Sequence, residues 1–331
     1  MSAATSAGST ELLRMEGVSV TYHTDDGPLP AVREVDLVVR SGEVVGVAGE
    51  SGCGKSTLAS TVLRLQPKDA TVEGRVLVGG EDVLTMRWGN LRAVRWAQAS
   101  IVFQGALHSL NPVKRVGDQV EEPIRLHEPS LSDGEVKKRV EELFEQVGLP
   151  GYRSRAYPHQ LSGGQKQRVM IAMALSCRPN LVIADEPTTA LDVMVQAQIL
   201  SLLSGLVREM GVGMMIISHD LSVLADVCDR VAVMYAGRVV ETGAARDVFS
   251  HPQHPYAAAL SAAFPKIGDP AARYAPAGLA GDPPDPRELP GGCTFAPRCS
   301  RVIDRCLEAE PPLVEHGTGR AAACIRVGEP G

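Results

Sequence analysis

No run in the sequence approaches the ~18 consecutive apolar residues of a membrane-spanning helix, so a spanning helix is excluded. Aromatic residues are scarce, at 4%, which leaves little surface for base stacking. Basic residues are not in excess. The net charge of -6 argues against a protein that binds nucleic acid through its phosphates. Met1 to Glu11 are small and polar. They lack the apolar core of a secretory signal, so export is not expected. Apolar residues are not lacking: 44% hydrophobic and 22% charged are ordinary globular proportions. Disorder of the whole chain is thereby excluded. A length of 331 residues corresponds to one large domain or two ordinary ones.

Seven cysteines are unevenly spread. Cys53, Cys177 and Cys228 are scattered, whereas Cys293, Cys299, Cys306 and Cys324 crowd the end of the chain. With no export signal, metal ligation is a stronger reading of the group than disulfides. Five, six and seventeen residues separate the four. Structural zinc sites usually contain a pair two to four residues apart. No such pair exists, so the spacing leans toward a [4Fe–4S] cluster. Zinc, and free or disulfide-linked thiols, are the alternatives.

Short apolar runs at Val44–Ala48, Leu181–Ala184 and Met214–Ile217 read as buried strands. Polar residues sit just past the carboxyl end of each, and helical patterns fall between them. That alternation predicts a parallel α/β sheet with its ligand at the carboxyl edge. Leu12–Arg40 and Val72–Leu84 read as short strands with turns. Ser132 and Glu135 fit a capping box. Val136, Val140, Leu143, Phe144 and Val147 follow at helical spacing, so 105–165 is read as an inserted helical subdomain. After Phe264 the composition turns to Pro, Gly and Ala, and Asp282–Pro286 is a linker.

The first strand runs into Gly49, Glu50, Ser51, Gly52, Cys53, Gly54, Lys55 and Ser56, which match G-x-x-x-x-G-K-[ST]. Strand before and helix after is the context this motif requires. Its glycines let the backbone curl so that N–H groups face phosphate oxygens. Lys55 reaches the β- and γ-phosphates, and Ser56 ligates Mg²⁺. Gly49 to Thr57 are the expected ATP-binding set, with Cys53 a spacer. The Leu181 strand ends in Asp185 and Glu186. Asp185 is placed to hold Mg²⁺ and Glu186 to polarise water; alone, the pair would be an ordinary acidic turn. Leu161, Ser162, Gly163, Gly164 and Gln165 open a further helix with exposed backbone donors. A plain glycine turn with a serine cap would look the same.

On these residues the chain resembles the nucleotide-binding subunits of ABC transporters, whose signature is LSGGQ. The resemblance spans Leu12 to Val248. It implies a P-loop NTPase core, the ABC cassette, with an antiparallel β subdomain. Gln104 matches the Q-loop glutamine, which also ligates Mg²⁺. Ala190, Leu191 and Asp192 match the D-loop, and His219 the switch histidine. Tyr22 is a candidate for the aromatic that stacks on adenine; a half-buried strand tyrosine is the plainer reading. Glu186, His219 and Gln104 are the implied catalytic set. Ser162, Gly163, Gly164 and Gln165 would contact ATP held by a partner cassette.

A narrower resemblance rests on Ser109-Leu110-Asn111-Pro112, His254-Pro255-Tyr256 and Leu289 to Cys299. These are similar to the oligopeptide and dipeptide permease ATPases, a group that includes nickel importers. One departure is Gly105-Ala106-Leu107-His108, where many members carry an acidic residue followed by proline. The implied organisation is a nucleotide-binding domain over 11–250 and an extension over 251–331. The implied activity is ATP hydrolysis that powers peptide import. The implied partners are a second ATPase subunit or a second copy, two transmembrane permease subunits and, indirectly, an extracellular substrate-binding protein. The place is the cytoplasmic face of the membrane. Nickel import and a non-transport ABC ATPase are the alternatives. A vestigial ATPase is opposed by the intact Glu186 and His219. The four cysteines are remote in sequence from every nucleotide motif, so their expected role is structural and separate from hydrolysis.

Overall fold

A computed structural model describes residues 10–103, 105, 109–188, 191–263, 279, 281–317 and 319–329. The chain opens with β1 (Glu11–Thr24) and β2 (Gly27–Arg40), paired antiparallel. With β4 (Ala70–Val78) and β5 (Glu81–Asp82) they form a four-stranded sheet in the order β2-β1-β4-β5. The first two strands were expected to be short. They are 14 residues each. Leu13 and Met15 point inward, and then the phase changes so that Val18 and Val20 do. Gly17, at φ 56°, sits where the register shifts between Met15 and Val18. A bulge of this kind breaks the alternating pattern without ending the strand.

The second sheet has eight strands. Its centre is β3 (Val44–Ala48), parallel to β8 (Gly213–Ser218) on one side and β9 (Arg230–Tyr235) on the other. Beyond β8 lie β7 (Leu181–Asp185) and β6 (Ala99–Val102), also parallel. Beyond β9 lie β10 (Arg238–Ala244), β12 (Ala321–Ala322) and β11 (Val314–Glu315), all antiparallel. The end of the cysteine-bearing segment therefore extends the main sheet.

Every residue of β3 is buried, because both faces of the sheet are covered. Val45, Val47, Met215, Ile217 and Met234 meet Leu13, Met15, Val35 and Leu58 on the side of the antiparallel sheet. Val44, Met214, Ile216, Val231 and Val233 face the helices on the other side. The alternation of a two-residue period divides each strand between two cores.

The helices are α1 (Lys55–Thr61), α2 (Trp88–Ala97), α3 (Val116–His127), α4 (Asp133–Gln146) and α5 (Gly163–Leu175). There follow α6 (Val193–Met210), α7 (Leu221–Val227), α8 (Ala245–Ser250) and α9 (Pro255–Ala263). The sequence reads as a helix from Lys55 to Leu65, and α1 is shorter. It stops before Arg64, whose φ of 47° lies outside the right-handed helical region. At the head of α4 the Glu135 carboxylate accepts the Ser132 N–H at 2.8 Å, and the Ser132 hydroxyl accepts the Glu135 N–H. Its apolar face, Val136, Val140, Leu143 and Phe144, packs against α3 and α5.

Phe144 is fully buried in the helical core. Phe144→Ala is expected to lower unfolding stability by about 3–5 kcal/mol. Urea denaturation followed by circular dichroism measures it.

Candidate functional site

The loop after β3 curls because three of its glycines adopt backbone angles that side chains disfavour: Gly49 at φ 153°, Gly52 at 82° and Gly54 at 100°. Space forbids a side chain as well. A Cβ on Gly54 would lie 2.1 Å from the Ala31 carbonyl oxygen, and one on Gly49 would lie 2.3 Å from that of Met234. Lys55 closes the ring. Its buried ammonium donates to the carbonyls of Gly49 and Glu50, both at 2.8 Å. Those bonds fix the loop around the base of α1. Cys53 lies beneath, and burial pushes its thiol up.

Ser56, in the first turn of α1, donates to Asp185 Oδ1 at 3.0 Å. Burial raises the Asp185 carboxyl, with the Ser56 bond working against it. A cation bound there would replace the lost solvation of the carboxylate. Ser56 and Asp185 are thus the described pair that could hold Mg²⁺. Glu186 follows in a left-handed conformation, φ 43°, which is costly for a residue with a side chain. Its N–H donates to the Ile217 carbonyl at 3.1 Å. The carboxylate reaches within 3.8 Å of His219 Nδ1. Glu186 and His219 therefore meet across the ends of β7 and β8, while Asp185 meets the loop from β3. Three adjacent parallel strands converge at one carboxyl edge.

Tyr22 is half-buried and donates its hydroxyl to Thr57 Oγ1 at 3.2 Å. Gln104 and Ala190 lie outside the described residues, as do Ala106, Leu107 and His108. Ser162 and Gln165 are engaged with each other at the head of α5. Gln165 N–H donates to the Ser162 hydroxyl at 3.4 Å, and Ser162 N–H donates to the Gln165 side chain at 3.1 Å. Gly164 has a packing reason of its own: a Cβ there would lie 2.7 Å from Val195 of α6. Asp192 caps α6 by accepting the Val195 N–H at 3.0 Å. Among the described residues, no hydrogen bond or ion pair joins Ser162–Gln165 to the loop of Lys55.

Residues 32–189 match the ABC transporter family model, and residues 240–306 match that of the oligopeptide/dipeptide transporter C-terminal region. The oligopeptide transport ATP-binding protein OppD of Salmonella typhimurium is 44% identical over 317 residues, 95% of this chain and 93% of that protein. This chain belongs to the ABC transporter family, among the oligopeptide and dipeptide permease ATP-binding subunits. The solved dimeric cassette MJ0796 is 30% identical, with a TM-score of 0.64 over 71% of this chain and 99% of that one. The same cassette has been solved in a post-hydrolysis state with ADP and Pi, at the same TM-score.

The four late cysteines of this permease ATPase line one cavity, together with His254, Phe295, Pro311 and others. None of the seven cysteines is paired in a disulfide. Three sulfurs accept a backbone N–H from two residues ahead: Cys293 from Phe295, Cys299 from Arg301 and Cys324 from Arg326, the last two at 3.4 Å. Such N–H···S bonds support thiolates that ligate metal. Among the described residues, however, no group of three or more His, Cys, Asp or Glu is arranged to hold a metal ion. A tetrahedral zinc site draws its sulfurs to about 3.8 Å of one another. A [4Fe–4S] cluster gives each thiolate its own iron and spreads them.

The cysteine-bearing segment is remote in sequence from the nucleotide motifs, as expected, and it nevertheless touches them in space. Arg298, immediately before Cys299, pairs with Glu50 of the phosphate loop at 2.7 and 2.9 Å. Glu50 N–H donates to the Tyr256 hydroxyl at 2.9 Å. Both partners lie in the motifs of the narrower resemblance, but no periodicity or spacing pairs either of them with Glu50.

Gly54→Ala must force a positive φ and a clash with the Ala31 carbonyl together. It is expected to abolish nucleotide binding while the chain stays folded. Equilibrium dialysis with labelled ATP, beside a thermal melt, checks both.

Proposed function

We propose that this chain is the ATP-hydrolysing subunit of a peptide importer that acts on separate membrane subunits. The observation that carries the reading is the 44% identity to an oligopeptide transport ATP-binding protein across 95% of the chain. The assembled edge of Lys55, Ser56, Asp185, Glu186 and His219 supports it. No helix among the described residues is long and apolar enough to cross a membrane, so two permease subunits supply the pathway. The chain then sits on the cytoplasmic face, where ATP is found.

In this reading Gly49 to Thr57 cradle the phosphates, and Lys55 neutralises them. Ser56, Asp185 and Gln104 hold Mg²⁺. Glu186 orients and polarises the attacking water, and His219 holds Glu186 and the γ-phosphate in register. Tyr22 packs beside the adenine. Ser162, Gly163, Gly164 and Gln165 serve the ATP of a second cassette, with Asp192 at the shared seam. The dimeric form of the MJ0796 cassette supports that arrangement. The second cassette is a related subunit or a second copy. ATP shifts the pair toward the closed state, and hydrolysis releases it. Cys293, Cys299, Cys306 and Cys324 hold a [4Fe–4S] cluster that fixes the segment after the cassette. Binding energy becomes folding energy there.

Glu186→Gln keeps size and hydrogen bonding but removes the base. Turnover in the assembled complex should fall by ~10² to 10⁴, while ATP binding survives. Near-normal turnover would reject the role. For the cysteines, anaerobic purification with iron and sulfide analysis decides. The cluster predicts about four irons per chain and visible colour, and Cys299→Ser should lose both. One zinc without colour would replace the cluster by the ion.

A further inference from the structure

The phosphate loop is surrounded on its outer side by the segment that follows the cassette. Its first contact is the Arg298 guanidinium, which forks onto both Glu50 oxygens at 2.7 and 2.9 Å. The Arg298 side chain is only 6% exposed. It lies 5.8 Å from the centre of the Tyr235 ring and 3.4 Å from that hydroxyl. The second contact is Tyr256, whose hydroxyl accepts the Glu50 N–H. Phe295 joins the two, at 5.2 Å from Tyr235 and 5.4 Å from Tyr256, ring centre to ring centre. A third contact lies at the neighbouring strand. Glu310 takes a two-pronged bond from Arg33, at 3.1 and 2.8 Å. Arg33 follows closely on Ala31, whose carbonyl walls Gly54.

Glu50 is an acidic residue in a loop built to receive a polyanion. Left unpaired, its carboxylate would repel phosphates held by the same loop. A bidentate guanidinium both neutralises a carboxylate and fixes its direction. The side chain that does this comes from the turn Ala296–Arg298, which runs directly into Cys299. Ala296 N–H also donates to the Cys293 carbonyl at 2.9 Å. One short turn therefore borders the cysteine cavity on one side and holds the phosphate loop on the other.

We propose that Arg298, with Tyr256, is a positioning residue for ATP: it holds the Glu50 carboxylate away from the phosphates and keeps the loop in its binding shape. It acts through Glu50 and touches no reacting atom. The inference rests only on ATP occupying the loop of Lys55, and not on the identity of the transported solute. Nor does it need the cavity to hold a particular metal.

The test uses the full-length chain with Mg²⁺ and a fluorescent ATP analogue, then ATP turnover in the assembled complex. Arg298→Gln should weaken ATP binding about 10-fold, within the ~5- to 150-fold range of coupled sites. The loss should appear in KM, with kcat at saturating ATP unchanged within about twofold. Adding Glu50→Gln should restore most of the affinity, because the repelling charge is then gone. Arg298→Lys, which keeps charge but loses the fork, should fall between. Lys138→Gln, on the exposed face of α4, is the control and should change nothing. A structural role alone predicts a lowered melting temperature with no rescue by Glu50→Gln, and that result overturns the proposal. So does unchanged affinity in folded Arg298→Gln. Should Arg298→Gln fail to fold, Tyr256→Phe decides, since it deletes one hydroxyl and keeps the ring. Weakened binding supports the proposal, and wild-type binding rejects it. A wild-type chain that binds no ATP at all would instead reject the ATPase reading.

Discussion

Burial of β3 on both faces is the constraint from which the rest of the site follows. A strand with no free face cannot carry a ligand along its length, so its chemistry must begin where it ends. β8 and β9 flank it in parallel, and β7 lies beyond β8. Their carboxyl ends therefore open onto one edge. Lys55, Ser56, Asp185, Glu186 and His219 are scattered along the sequence and gathered by that single fact. The left-handed Glu186 shows what the gathering costs. Strain of order 1–3 kcal/mol is tolerable there because the Ile217 carbonyl pins its N–H and the strand beneath cannot relax.

Most of this edge was legible from residue order. β3, β7 and β8 read as apolar runs within one residue of their ends, since buried parallel strands need no alternation. The phosphate loop was legible because glycine is the residue that fits its backbone angles. The α4 cap was legible because Ser132 and Glu135 solve a local problem three residues apart. All three are short-range signals, carried by neighbours in sequence.

Less legible were features in which one part of the chain answers another far away. The bulge at Gly17 shifts the inward phase of β1, so a long strand reads as two short ones. Gly164 looks like a phosphate-binding glycine and is also pressed against Val195. The Glu50 carboxylate sits inside a phosphate-binding motif, yet its partner is Arg298. No spacing rule reaches across that distance. The four cysteines announced a common purpose, but not that their cavity would share a turn with the nucleotide loop.

The antiparallel end of the main sheet has a consequence for synthesis. Glu241 of β10 is fully buried, and it is satisfied by the Gln253 and His254 N–H groups and by Arg320. Its strand neighbour is Ala322. A chain emerging from the ribosome presents β10 long before Arg320 and β12 exist. Until they arrive, one sheet edge stays open to pairing with another chain, and a carboxylate waits half-partnered. Closure of the sheet therefore waits until Arg320 and β12 have been made. A nascent chain paused after β10 is the form most exposed to aggregation.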